Sequence, residues 1–133
     1  MITRVGKKQR RGAAVVEMAI VSPLLFALLF GIIEFGWLFT VQNTLLNAAR
    51  EGARTGCLQG MTQTDIQTRV TQLLTPMHLQ SKTTVTITDA TVANPNVTVA
   101  LTVPRNQVSL VGNFFGFTSG NLNATCSMRK EGM

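Results

Sequence analysis

Residues 7–39 read KKQRRGAAVVEMAIVSPLLFALLFGIIEFGWLF, and this stretch decides how the rest of the chain is organised. It has a basic head, then Gly12, then a long apolar run that only Glu17 and Glu34 interrupt. A helix over residues 13–41 would be about 43 Å long, because each helical residue adds about 1.5 Å. Since about 20 apolar residues cross a bilayer core, the run predicts a transmembrane helix over about residues 13–41.

The basic head predicts the orientation of that helix. Residues 1–12 form a basic leader in which five Lys or Arg residues precede Gly12. Positive charge flanks the cytoplasmic end of membrane helices, so we expect a cytoplasmic N-terminus and an exported C-terminal part. A secretory signal peptide has a shorter apolar region and a small-x-small cleavage site. This run is longer and ends in EFGW, so ordinary signal cleavage is not expected.

The polar and aromatic residues of the run fit a membrane helix. Glu17 and Glu34 are expected at the two interfaces, and Trp37 at the outer interface as an anchor. Glu34 is expected to reach solvent there, and a packing role is the alternative. Pro23 removes a backbone donor and predicts a kink. Ser22 is expected to help satisfy the backbone groups that Pro23 frees.

Helical periodicity continues past the apolar run. The stretch VQNTLLNAAREGARTG keeps apolar residues three and four apart and places Arg50, Glu51 and Arg54 on an opposite, solvated face. We expect one helix from about Ala13 to about Leu58, whose second half must pack on something outside the membrane.

A small exported domain is predicted over residues 59–133. Residues 62–75 give a short amphipathic helix that Pro76 ends. The period then changes to two in TTVTIT and NVTVALTV, which predicts an antiparallel pair around the Asn94-Pro95-Asn96 turn. A third strand follows at residues 122–128. The fold class is therefore α+β, with a long N-terminal transmembrane helix, a short helix and a roughly three-stranded antiparallel sheet.

The sharpest motif is the basic leader that ends in Gly12, followed by a helix with an acid at its fifth position, Glu17. It resembles the cleavage site of type IV prepilins, which a membrane aspartyl peptidase cuts after the glycine. The longer pattern resembles the TadE-like minor pilin (pseudopilin) family of tight-adherence pili. Its parts are Gly12, Val16 to Ala19, Pro23, Gly31 to Gly36 and Ala48 to Arg54. Met18 departs mildly from the family, in which an aromatic residue is more usual.

The resemblance implies a pilin-like fold and a structural assembly subunit. The precursor would be cut between Gly12 and Ala13 and join a pilus through helix packing, with Glu17 as an assembly residue. The implied partners are a prepilin peptidase, other pilins, an inner-membrane platform and an assembly ATPase. The implied location is the bacterial inner membrane, with possible assembly into an extracellular pilus.

Physical chemistry gives Glu17 a role beside the resemblance. A free amine at Ala13 and a carboxylate at Glu17 are each costly in an apolar setting unless paired. In a bundle, Glu17 of one subunit could neutralise the Ala13 amine of a neighbour and fix the axial register. The simpler alternative is that Glu17 only favours the helix N-terminus.

Composition and charge argue against other functions. The net charge is +6, but five basic residues lie in the leader, so the body is nearly neutral and nucleic-acid binding is not expected. His78 is the single histidine, and no catalytic set, phosphate loop, cofactor motif or metal-ligand spacing surrounds it. A non-enzyme without cofactor or metal is expected. The alternative function is an uncut, singly anchored binding domain that uses Phe114, Phe115 and Phe117.

Two cysteines, Cys57 and Cys126, lie outside any C-x-x-C motif. An oxidising compartment outside the membrane favours a disulfide between them, which in the chain-entropy model contributes about 4 kcal/mol. Two buried free thiols are the alternative.

Overall fold

The computed structural model describes residues 8–112, 116 and 119–132, with side chains from Gly12 onward. It confirms the α+β class: a long N-terminal helix, a short helix and a three-stranded antiparallel sheet. The elements are α1 (Lys8–Cys57), α2 (Gln63–Leu74), a 3₁₀ turn (Thr75–Met77), β1 (Thr84–Thr88), β2 (Asn96–Pro104), a second 3₁₀ turn (Arg105–Gln107) and β3 (Asn121–Arg129).

Helix α1 contains 50 residues and starts at Lys8, five residues before the predicted start, so the end of the basic leader is helical. Pro23 lies inside it. The Ser22 hydroxyl donates to the carbonyl of Met18 at 2.7 Å. Proline removes the N–H that would bond the carbonyl four residues earlier, that of Ala19. Ser22 therefore bonds a neighbouring carbonyl and not the one that Pro23 leaves unpaired.

Helix α2 has a defined start and end. The Thr62 side chain accepts from the Asp65 amide, and the Asp65 carboxylate accepts from the Thr62 amide at 2.9 Å, which makes a capping box. At the other end, Pro76 lies in the 3₁₀ turn, and His78 adopts the left-handed conformation with φ of 53°. The chain thereby turns away from the helix axis toward β1.

The sheet has the order β1-β2-β3, with β2 antiparallel to both neighbours. Alternation decides which face is buried: Val99 pairs with Ile87 on one side and with Cys126 on the other. These residues share the face that is covered by helices, while threonine, serine and asparagine occupy much of the opposite face. The predicted strands and their facing are confirmed.

The core lies between this sheet face and the two helices. The buried residues come from the second half of α1, from α2 and from the inner face of β2 and β3; they include Val41, Leu45, Ala49, Ala53, Ile66, Val70, Leu74, Val97, Val99, Leu101, Val103 and Ala124. As expected, the second half of α1 packs on the domain. The first half projects from it.

Candidate functional site

The projecting half of α1, residues 12–33, is an exposed apolar rod. Three residues of the rod, Ser22, Ala27 and Gly31, are half-buried, and every other residue of the rod is exposed. The large exposed side chains are Val15, Val16, Met18, Ile20, Val21, Leu24, Leu25, Phe26, Leu28, Leu29, Phe30, Ile32 and Ile33. A soluble domain rarely exposes so large an apolar surface, and exposed apolar surfaces of this size are typical of membrane or protein contact sites. Helix α1 is long and apolar enough to cross a membrane by length and composition, and this is compatible with a membrane anchor.

The predicted processing and assembly residues lie at the far end of this rod. Gly12, Ala13 and Glu17 are all exposed. Ala13 and Glu17 are four residues apart, so they occupy the same helix face about one turn apart. Within the described part of the chain, the Glu17 carboxylate makes no hydrogen bond or ion pair, and nothing lies within 4 Å of a Cβ built on Gly12. Their proposed roles remain predictions.

The second acid of the apolar run, Glu34, lies where the rod meets the domain. Its side chain is buried, with 5% of the residue exposed. Its Oε2 accepts the backbone N–H groups of Leu110 at 2.9 Å and of Val111 at 3.0 Å. The expectation that Glu34 reaches solvent at the outer interface is therefore wrong. A carboxylate removed from water needs donors, and the 108–112 segment supplies two.

Trp37 lies one turn further along α1 and contacts the same segment. Its indole N–H donates to the carbonyl of Val108 at 2.7 Å, and its ring is half-buried against the core. The polar group of Trp37 therefore bonds to the protein itself, a contact that the expectation of an interface anchor did not include. Glu34 and Trp37 together form what we call the base clamp, which fixes the 108–112 segment to α1.

The motif AAREGAR at residues 48–54 is a packing seam. A Cβ on Gly52 would lie 2.6 Å from Val70 Cγ2, and one on Gly56 would lie 2.8 Å from Ile66 Cδ1. Real Cβ atoms do not approach other carbons so closely. Glycine at these positions therefore lets α1 lie directly on α2 and on the sheet.

The charged residues of the same motif are not only a solvated face. Glu51 Oε1 lies 2.7 Å from Arg54 on α1 and 3.0 Å from Arg69 on α2, so it links the two helices. The hydrogen bonds from Arg54 and Arg69 lower the pKa of Glu51 to about 2. Arg50 is exposed, as expected.

Both cysteines lie at the end of α1 that is remote from the rod. Cys57 ends the helix and is buried, and Cys126 is half-buried on the inner face of β3; both are free thiols in the structure. Burial raises the pKa of the Cys57 thiol, and the nearby Glu131 and Cys126 raise it further. The amide of Glu131 also donates to the Cys57 carbonyl at 3.1 Å, which joins the C-terminal residues to α1. The proposed Cys57–Cys126 disulfide remains a prediction.

The predicted binding loop of Phe114, Phe115 and Phe117 lies outside the described residues. The base clamp was missed, although the sequence carried a signal for it. An acid inside an apolar run with a tryptophan three residues later requires polar partners, but nothing local indicates that those partners come from residues 108–111.

Comparison with known proteins extends the sequence argument. Residues 12–54 match the family model described as TadE-like protein. No match was found among curated proteins or among solved structures. The matched range covers the rod, the base clamp residues on α1 and the packing seam, which confirms the resemblance seen in the sequence. The matched family is a structural pilus family and not a known enzyme family.

Proposed function

We propose, from the TadE-like match over residues 12–54, that the chain is a pseudopilin-type assembly subunit of a tight-adherence pilus. It would be made as a membrane precursor, cut between Gly12 and Ala13, and incorporated by helix packing. The observation that carries the proposal is the rod: 13 large apolar side chains of residues 12–33 are exposed while the domain behind them has its own core.

The rod has the dimensions of a membrane span. Residues 12–33 would extend about 33 Å along a helix, against a hydrocarbon core of about 30 Å. In this arrangement the leader is cytoplasmic and residues 59–133 are exported. Helices in lipid associate through van der Waals packing and interhelical polar contacts, so the same surface can exchange lipid for neighbouring helices of other pilins.

Glu17 would set the register of that packing. After cleavage, Ala13 carries an ammonium group, which is costly inside an apolar bundle. The Glu17 carboxylate has no partner in the described part of its own chain, so it is available to the amine of a neighbouring subunit. The proposed partners are a prepilin peptidase, other pilins, an inner-membrane platform and an assembly ATPase. No residue is assigned a catalytic role.

The mass of the protein purified from bacterial membranes tests the cleavage. We expect a mature chain that lacks residues 1–12 and starts at Ala13. Gly12→Val should leave the precursor intact, because a bulky residue before the scissile bond hinders the close approach of a protease to the backbone. Gly6→Val, which changes another leader glycine, is the matched control and should be cut normally.

An intact N-terminus in cells with an active prepilin peptidase would contradict the proposal. That result would favour the alternative of an uncut, single-pass anchor that carries an exported binding domain. Equal processing of the Gly12→Val and Gly6→Val variants would instead show that cleavage occurs elsewhere.

The assembly role of Glu17 needs a separate measurement. Glu17→Ala should be cut at the normal site but be depleted from sheared pili, measured by quantitative immunoblotting of the pilus and membrane fractions. Glu131→Ala, which removes an exposed acid at the other end of the chain, is the control. If the Glu17→Ala variant entered pili as efficiently as the control, the register role would be refuted.

A further inference from the structure

A groove lies beside the base clamp, between α1 and the adjoining end of the sheet. Its volume is about 230 Å³. It is lined by Phe35, Leu38, Phe39, Gln42, Arg105 and Leu122. Of the described residues, those that line the groove are mainly apolar, with one cationic side chain and no acidic one. The nearby Gln42 side chain donates to the carbonyl of Asn123 at 2.8 Å, which holds α1 against β3 at this end.

Arg105 is the unusual member of the lining. It begins the 3₁₀ turn that follows β2, and its residue is half-buried. Among the residues that the structure describes, its Nε is the buried side-chain nitrogen with no hydrogen-bond partner. Buried polar groups are normally paired, and a guanidinium can only donate. The Nε itself is closed to solvent, but Arg105 lines the groove, and within the described residues its guanidinium makes no hydrogen bond or ion pair, so an anionic acceptor in the groove would pair its terminal N–H groups.

The position of the groove identifies the kind of anion. Its lining starts at Phe35, the residue after Glu34, where the exposed rod enters the domain. If the rod spans the bilayer, this level is the outer headgroup region. The apolar surface of the rod also continues along the groove, because Phe35 and Phe39 are 58% and 69% exposed. A molecule that fits here has an anionic head beside an apolar tail.

We infer that this groove binds one anionic phospholipid, with the phosphate on Arg105 and part of an acyl chain against Phe39 and its neighbours. The inference rests on the proposed membrane span. Guanidinium and phosphate form charge-assisted hydrogen bonds of matching geometry. A zwitterionic choline lipid would bring a second cation toward Arg105, so the groove favours a net negative lipid such as phosphatidylglycerol.

Lipid retention by the full-length chain tests this site. The protein is purified in mild detergent from membranes that contain phosphatidylglycerol and phosphatidylcholine, and bound lipid is counted by native mass spectrometry. We expect about one retained phosphatidylglycerol per chain and no comparable retention of phosphatidylcholine. Arg105→Gln should lower the affinity by about tenfold or more, since a hydrogen bond to a charged group contributes about that factor.

Two further variants keep the test informative. Arg129→Gln is the matched control, because Arg129 is exposed and lies at the other end of β3, and it should retain lipid normally. Phe39→Gln changes an exposed side chain of the groove and should also lose lipid without disturbing the core. Its result decides the question if Arg105→Gln fails to fold, as judged by the fluorescence of Trp37.

Three results would overturn the assignment: equal retention by the Arg105→Gln and Arg129→Gln chains, equal retention of both lipids, or displacement of lipid by glycerol 3-phosphate. The last would give the site to a soluble phosphate. Carbonate extraction separates this inference from the proposed function. A chain that resists extraction but holds no phosphatidylglycerol refutes the lipid site alone, whereas a chain that carbonate releases refutes the membrane span and the lipid site together.

Discussion

Replacing Gly52 by alanine should destabilise the α+β domain, although alanine is normally the better helix former. Gly52 lies in the packing seam where α1 meets α2 and the sheet. The added Cβ would lie 2.6 Å from Val70 Cγ2, 3.4 Å from Val99 Cγ1 and 3.6 Å from Ile66 Cγ2. Carbon atoms in contact normally lie about 3.5–4.0 Å apart, so about 1 Å of overlap with Val70 must be relieved.

The size of the effect follows from two opposing terms. Val70 is fully buried, and a β-branched side chain in a helix has essentially one rotamer, so relief requires a shift of the backbone. Such overpacking costs about 1–3 kcal/mol. Alanine in place of glycine within a helix offsets about 1 kcal/mol of this. The net loss for Gly52→Ala is therefore about 0–2 kcal/mol.

A matched variant isolates the steric term. Gly31→Ala is a change in the same helix, at a glycine whose added Cβ meets nothing within 4 Å. If both variants gain the same helix preference, Gly52→Ala should be about 1–3 kcal/mol less stable than Gly31→Ala. For a domain of this size, that is a melting temperature at least about 4 °C lower. The fluorescence of Trp37, the single tryptophan, reports the transition in detergent micelles because Trp37 bonds to Val108.

A melting temperature for Gly52→Ala equal to that of Gly31→Ala would refute the seam as an obligatory close approach. A second variant tests the cause. Val70→Ala removes the methyl group that clashes, so Gly52→Ala should cost less in the Val70→Ala background than in the wild type. Such coupling is expected only between residues in contact.

Three other perturbations give separate tests. Glu34→Gln should weaken the base clamp, because a charged acceptor of two backbone N–H groups is lost; faster hydrogen exchange of the loop amides it binds would show this, and unchanged exchange would contradict it. The pKa of Glu51 is about 2, below that of an unfolded glutamate, so its ion pairs stabilise the fold above about pH 5 and are lost as the pH falls toward 2. Because the arginine partners are exposed, these ion pairs contribute under about 1 kcal/mol to stability. Between about pH 5 and pH 2 the stability of Glu51→Gln should therefore fall less than that of the wild type, by up to that amount. If Cys57 and Cys126 form a disulfide after export, unreduced denatured protein should resist thiol labelling; full labelling would refute the bridge.

Much of the fold could be predicted because its signals are local. The rod is visible in the sequence as a long apolar run, α2 as a helical repeat that ends at Pro76, and the strands as alternation between turn residues. Each pattern depends on side chains within one element. The processing and assembly hypotheses for Gly12 and Glu17 depend on the same local stretch and on its TadE-like resemblance.

The roles of several single residues could not be predicted in this way. The partners of Glu34 are backbone amides 76 and 77 residues away, and Arg69 is 18 residues from Glu51. A sequence pattern shows that such a charge lies in an apolar run or on a polar face, but it does not show which distant segment supplies the partner. For Glu34, solvent at the membrane interface was a reasonable expectation that the packing of the 108–112 segment replaced.

The sequence by itself determined that this protein is a long apolar helix carrying a small α+β domain, with a basic stretch before Gly12 that resembles a prepilin junction. Only the tertiary structure decided where the rod ends and the domain begins. The domain begins at the base clamp, where Glu34 and Trp37 bind the 108–112 segment. The tertiary structure also placed Arg105 in a groove beside the base clamp. The physical reason is that hydrophobic periodicity is a property of neighbouring residues, whereas the pairing of a buried polar group depends on which segments the folded core brings together.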